Sequence, residues 1–209
     1  EARCMTCHEG RASKKTIDDL IAKFKATDLD KPVDPITNAD GTKSNFSLQT
    51  AHYFTAALSL YGTEVKGGYE YAGKRYDAKF AHVEDFDTCD GCHNPHSLEP
   101  KVEACAVCHG EEAGTVEGLK EIREVSSAMD YDGDGDVTEG IQGEVEGLKT
   151  ILYAALQVYA KDVLQSPIAY STSAYPYFFI DTNANGSLDA DEANYGNRYV
   201  SWSPRLLTA

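Results

Sequence analysis

Six cysteines stand in three pairs, and a histidine directly follows each pair: Cys4/Cys7/His8, Cys89/Cys92/His93 and Cys105/Cys108/His109. Two thiols one helical turn apart can each add to a vinyl group of the same porphyrin. The next residue then offers its imidazole to the iron from the same side of the ring. Cys-x-x-Cys-His is therefore the attachment pattern of c-type haem. Zinc ligation would explain paired cysteines, and a disulfide framework would explain an even count. Neither explains a histidine after every pair at three identical spacings. Read as haem sites, the motifs use every cysteine and predict three covalently attached haem c groups.

Histidine supply matches that demand. The chain has six histidines. His8, His93 and His109 follow the cysteine pairs as proximal ligands, leaving His52, His82 and His96 for the opposite faces. A lone histidine is ordinarily a surface or hydrogen-bonded group, but three haems need three distal ligands and three histidines remain. Met5 lies inside the first motif, too close to reach the far face of that haem, and Met129 reads as the last core residue of a helix. Bis-histidine ligation is thus expected throughout, not the Met/His pairing that raises haem potential. On a helix His93 and His96 would be neighbours, about 5–6 Å apart at Cβ, and could not grip opposite faces of one haem. His96 is therefore expected to serve a second haem. A working pairing gives His96 to the haem of Cys4/Cys7, His52 to that of Cys89/Cys92 and His82 to that of Cys105/Cys108, although the sequence does not fix which distal histidine serves which haem.

A second chemistry appears after residue 113, where cysteine and histidine cease and acidic glycine-rich loops begin. The stretch from Asp181 to Glu192 resembles an EF-hand calcium loop at every diagnostic position. Asp181, Asn183 and Asn185 offer side-chain oxygens, Gly186 the sharp turn, Ser187 its carbonyl, Asp189 a water-mediated contact and Glu192 a bidentate one. An earlier loop departs from the pattern. Asp130, Asp132, Asp134, Gly135 and Asp136 fit, but Ile141 takes the place of the closing glutamate. Glu139 is the expected substitute, with Glu144 as runner-up. One or two calcium ions are expected, against the alternative of solvated acidic turns.

The elements that must position these groups follow from periodicity and punctuation. Ser13 or Thr16 starts a helix through 16–25, with Ile17, Leu20, Ile21 and Phe24 on one face. Residues 28–45 read as loop. A helix over 47–61, ending at Gly62, would carry His52 among Leu48, Phe54, Leu58 and Tyr61. Tyr69 to Tyr76 alternates around Ala72-Gly73 and predicts a short β-hairpin. Its tyrosines are placed either to cover a haem edge or to pack on one another. Helices are expected over 116–129 and over 138–164, the second with a stripe of Val145, Leu148, Leu152, Ala155 and Tyr159. The fold class is thus mainly α with much irregular structure. A haem-cored N-terminal part with a small β-hairpin (1–113) precedes a helical, EF-hand-like calcium-binding part (114–209).

Composition narrows the function. The formal charge of −15 lacks the basic footprint of a nucleic-acid binder and favours basic partners over anionic membranes. No apolar run is long enough for a transmembrane segment. Haem attachment by this motif takes place outside the cytoplasm, so a leader is expected to have been removed and the location to be periplasmic or extracellular. Ser203-Pro204 reads as the start of a helix, which suggests a chain truncated at its C-terminus.

The three motifs, His52 within Ala51-His-Tyr-Phe-Thr-Ala-Ala-Leu58, and Cys92-His-Asn-Pro-His96 are similar to extracytoplasmic multihaem c-type cytochromes of bacteria that respire metals or exchange electrons externally. That resemblance implies an electron carrier, not an enzyme. The expected partners are other redox proteins or extracellular electron acceptors, and the surface also admits a homo-oligomer or filament. The alternative is a reductase domain for nitrogen or sulfur oxyanions with one open iron. Such sites are often marked by lysine in place of the motif histidine, and no Cys-x-x-Cys-Lys occurs here. A calcium sensor would want a methionine-rich surface, and the chain has two methionines.

Overall fold

A computed structural model gives the fold and describes residues 1–50, 54–80 and 82–209. In chain order the helices are α1 (Ala2–His8), α2 (Lys14–Phe24), α3 (Ala56–Tyr61), α4 (Cys89–Cys92), α5 (Val102–His109), α6 (Val116–Lys120), α7 (Ile141–Asp162) and α8 (Pro204–Thr208). Strands β1 (Ile36–Thr37) and β2 (Lys43–Ser44) form one antiparallel hairpin, in register Ile36↔Ser44. Strands β3 (Ile168–Tyr170) and β4 (Phe178–Ile180) form another, in register Ala169↔Phe179. The protein is mainly helical and irregular, with these two small hairpins.

Two compact units are present. One comprises residues 2–80 and 155–209, the other residue 1 and 81–154. The units do not coincide with the 1–113 and 114–209 division, which follows composition and not contact.

The unit of 2–80 and 155–209 contains the apolar core. Ile17 and Phe24 of α2 and Phe46 cluster with Ala160 near the end of α7, Leu164 just beyond it, Ile168, Tyr199, Trp202, and Leu206 and Leu207 of α8. Phe24 meets Phe46 edge-on with ring centroids 5.4 Å apart, and Trp202 meets Phe178 and Tyr199 the same way at 5.5 and 5.1 Å. Such rings bury large areas and favour this geometry through their quadrupoles. The polar tips are satisfied: Trp202 Nε1 donates to the Tyr199 carbonyl at 3.1 Å, and Tyr199 Oη to that of Ser166 at 3.1 Å. Burial pushes the Tyr199 phenol up to about 12.

Local rules explain the best-formed helices. Ser13 caps α2 and exchanges hydrogen bonds with Thr16, closing a capping box. Ser203 caps α8, with Pro204 in its first turn, as the sequence leads one to expect.

Other elements differ from expectation. The helix expected over 47–61 is confined to Ala56–Tyr61. Continuing it backwards would pair the Phe54 carbonyl with Leu58 N. Leu58 N instead donates to the Thr55 carbonyl at 2.9 Å, and the Phe54 carbonyl serves a histidine. Tyr69 to Tyr76 makes the predicted reverse turn, with Lys74 N donating to the Tyr71 carbonyl, but no strand pairing. Tyr69 Oη turns to Asp18 and Tyr71 Oη to the Thr208 carbonyl, so these side chains tie down the segment. The β1–β2 hairpin lies inside the expected 28–45 loop. The helix expected over 116–129 stops at Lys120. Ile141 N takes the Ile122 carbonyl, and Arg123 turns inward, leaving Met129 largely exposed. α7 starts at Ile141, later than Thr138, because the Thr138 amide and hydroxyl are both held by Asp136.

Candidate haem and calcium sites

Each Cys-x-x-Cys pair lies on a helical turn. Cys4 and Cys7 are on α1, Cys89 and Cys92 are the ends of α4, and Cys105 and Cys108 are on α5. The i, i+3 spacing therefore puts both sulfurs of each pair on one face. No cysteine is in a disulfide. The second and third motifs are joined through Lys101. Its amide donates to the Cys92 carbonyl at 2.9 Å, and Cys105 Sγ lies 3.6 Å from its carbonyl. Burial pushes the Cys92 thiol up, and Cys105 adds to the shift.

The motif histidines share one feature. His8 Nδ1 is 2.7 Å from the Phe54 carbonyl, His93 Nδ1 2.9 Å from the Leu98 carbonyl, and His109 Nδ1 3.0 Å from Glu124 Oε1. A carbonyl only accepts, so Nδ1 carries the proton in the first two, and Nε2 is the nitrogen for a metal. Metal-ligating histidines characteristically donate their other ring nitrogen to a carbonyl or carboxylate. Phe54, Leu98 and Glu124 hold these rings and were not singled out from the sequence. Leu98 is five residues from its histidine, whereas Phe54 and Glu124 are 46 and 15 residues from theirs.

The His82 and His109 rings lie with centroids 5.9 Å apart and planes tilted by 32°. Two imidazoles bound to one metal through nitrogens at about 2 Å each put their ring centres on the order of 6 Å apart. His52 lies outside the described residues. His96 is exposed, and the helical relation to His93 does not hold. α4 ends at Cys92, His93 is extended at φ −110° and ψ 146°, and Asn94 Oδ1 accepts from the His96 amide in a turn. Pro95 disfavours helical geometry at Asn94, and the Asn94 side chain caps the turn.

The unit of 81–154 also fits a bulky apolar group. Ala113 is its one buried apolar side chain among the described residues, while Val107 and Val125 are 83% and 92% exposed. Porphyrins attached at its two motifs, Cys89/Cys92 and Cys105/Cys108, would supply apolar surface that this stretch does not find within itself.

Both acidic loops turn sharply at their sixth residue. Gly135 and Gly186 take φ +94° and +85° at the sixth position, where a β-carbon would be strained. In the second loop Asp181 and Glu192 are buried. Asp181 accepts from the Asn185 and Gly186 amides, Glu192 from those of Thr182 and Asp189, and Asn183 and Asn185 both reach Asp189 Oδ2. Ser187 N is held by Asn185 Oδ1. Hydrogen bonding by Thr182 holds the Glu192 carboxyl below the usual range. The flanks are not those of an EF-hand. β4 enters the loop, and a single 3₁₀ turn (Tyr195–Asn197) follows it. The likeness to an EF-hand is therefore confined to the loop itself, without an α-helix on either side.

In the first loop Asp130, Asp132 and Glu144 converge, as do Asp132, Asp134 and Glu139, with Asp136 beside them turned to Thr138. The two candidate closing glutamates differ. Glu144 is buried and engaged, taking Arg123 at 2.5 Å and the Tyr131 and Asp132 amides at 2.7 and 3.0 Å. Burial raises its pKa, but these donors outweigh that and hold it low. Glu139 has a buried carboxylate oxygen with no hydrogen-bond partner. Burial pushes its carboxyl up, as do Asp134, Asp132, Glu144 and Asp136. A carboxylate buried among carboxylates without a donor is what a cation would satisfy.

Comparison with known proteins addresses the whole chain. No family model matches it, and no solved structure does. The class it resembles is the polyhaem c-type cytochromes. C-type polyheme cytochrome OmcB of Geobacter sulfurreducens is 30% identical over 229 residues, which take in 96% of this chain and 24% of that protein. C-type polyheme cytochrome OmcC of the same bacterium is 28% identical over 229 residues, with 96% and 23% covered. The chain spans about a quarter of the length of these relatives. The likeness extends over both the haem motifs and the acidic loops, and supports a multihaem c-type cytochrome carrying covalent haem.

Proposed function

We propose that this segment carries electrons between redox partners outside the cytoplasm, holding three haem c groups and structural calcium. Cys4/Cys7, Cys89/Cys92 and Cys105/Cys108 attach the haems. His8, His93 and His109 are proximal ligands, and His52, His82 and His96 are distal ones. Bound haem supplies the one-electron ferric/ferrous couple. The protein residues orient the imidazoles, fix their tautomers and shield the porphyrin faces.

The observation that carries this reading is the Nδ1 partner found at all three motif histidines, in three unrelated local settings. The neighbouring His82 and His109 rings support six-coordination at the third motif. Calcium at Asp181, Asn183, Asn185, Ser187, Asp189 and Glu192, and at Asp130, Asp132, Asp134, Asp136 and Glu139, braces loops whose carboxylates otherwise repel. The acidic surface favours basic redox partners. Intact mass after acid-acetone extraction tests the haem reading. Three haem masses should persist, and the oxidised protein should lack a high-spin band. Fewer retained haems, or carbon monoxide binding to the reduced protein at native pH, would overturn it.

A further inference from the structure

The motif histidines are not equivalent. His8 and His93 donate to neutral backbone carbonyls, of Phe54 and Leu98, whereas His109 pairs with the carboxylate of Glu124 at 3.0 Å. Hydrogen bonds to an ionised acceptor are roughly twice as strong as neutral ones. A carboxylate on Nδ1–H also makes the imidazole a stronger electron donor through Nε2. Stronger donation stabilises ferric over ferrous iron.

We infer that Glu124 is a positioning and tuning residue for the third haem, making its potential the lowest of the three. This rests on the haem reading above. Glu124 is held for the role by its neighbours. Arg123 is 9% exposed at its side chain and donates to Glu144 and to the Glu139 and Met129 carbonyls, while the Ser127 amide closes onto the Glu124 carbonyl at 2.8 Å. The backbone at 123–124 is thus pinned, which aims the glutamate at a histidine side chain that is only 16% exposed. Glu124 itself is 62% exposed, so solvent weakens its through-space field. The hydrogen bond, made at the shielded ring, then carries most of the effect.

The experiment uses the holoprotein with its haem count verified first by intact mass, so that loss of haem tests the earlier reading and not this one. Glu124→Gln keeps shape and removes the anionic acceptor. Glu117→Gln removes one charge from an exposed position in α6 as a control. Spectroelectrochemistry should show one potential rising in Glu124→Gln, with the other two unchanged, and no such shift in Glu117→Gln. Electron paramagnetic resonance should show altered g values for one low-spin haem only, and Glu124→Asp should restore part of the wild-type value. Potentials unchanged in Glu124→Gln, equal shifts in all three haems, or the same shift in Glu117→Gln would each overturn the inference.

Discussion

Single side chains separate roles that look alike in the sequence. His82 and His96 are both spare histidines near the second motif, but only His82 has a motif histidine ring beside it among the described residues. His82→Ala should convert one haem to high spin and leave the others low-spin, read by electron paramagnetic resonance. Three low-spin signals in that variant would remove His82 from the ligand set. Glu139 and Glu144 are a second such pair. Glu139 has an orphaned oxygen, whereas Glu144 is already satisfied by Arg123 and two amides. Glu139→Gln should weaken calcium binding at the first loop by at least about tenfold, since even outer-shell partners of a metal are worth that much. It should leave the calcium-free protein as stable or more so. Glu144→Ala should lower the melting temperature with or without calcium, because it takes from the nearly buried Arg123 guanidinium its carboxylate partner. Isothermal titration and calorimetry on the two variants check both, and equal behaviour would show that the closing ligand is wrongly assigned.

At the level of elements, legibility followed how local the determinants were. α2 was readable because Ser13, Thr16 and the Ile17–Phe24 face all lie within eleven helical residues and their cap. Ser13→Ala should therefore cost about 1 kcal/mol, measured by thermal or denaturant unfolding. The motif turns were readable for the same reason. The shortened α3 was not, because its limit is set by a carbonyl committed to His8 across the chain. Nor was the end of α6, where Ile141 N intrudes from far along the sequence. The second calcium loop was legible residue by residue, but its flanks were not. An aromatic run before it pairs as β4 with β3, a choice fixed by partners that periodicity does not reveal. Glu192→Gln should lower the melting temperature in calcium. At free calcium a hundredfold above the dissociation constant, full loss of the site would remove about 2.7 kcal/mol. Haem potentials should hold, since this loop contains none of the proposed iron ligands.

Over the whole molecule, the sequence shows where haem motifs and calcium loops lie, but not which distant stretches compact together. Residues 2–80 share a core with 155–209, and the link is carried by side chains too far apart for any spacing rule. One polar cluster in that unit makes a pH-dependent claim. Asp30 accepts from Arg205 Nη2 at 2.9 Å and from Tyr159 Oη at 2.8 Å, and Tyr159 Oη also lies 3.1 Å from Ser203 Oγ, joining the 28–45 loop, α7 and the cap of α8. Arg205, then Tyr159, lowers the Asp30 carboxyl from 3.8 to about 2. A carboxyl depressed on folding contributes stability that is complete above its unfolded pKa and is lost as pH falls through its folded one. The window is therefore about pH 4 down to about pH 2. The pair is half exposed, so solvent screening keeps the effect modest. Asp30→Asn should lower the melting temperature by a constant amount above about pH 5, and the gap to wild type should close on acidification through that window. Thermal scans of both proteins from neutral pH to the acid limit test this. A gap that stays constant down to the acid limit would show that Asp30 acts by shape and hydrogen bonding alone, without its charge.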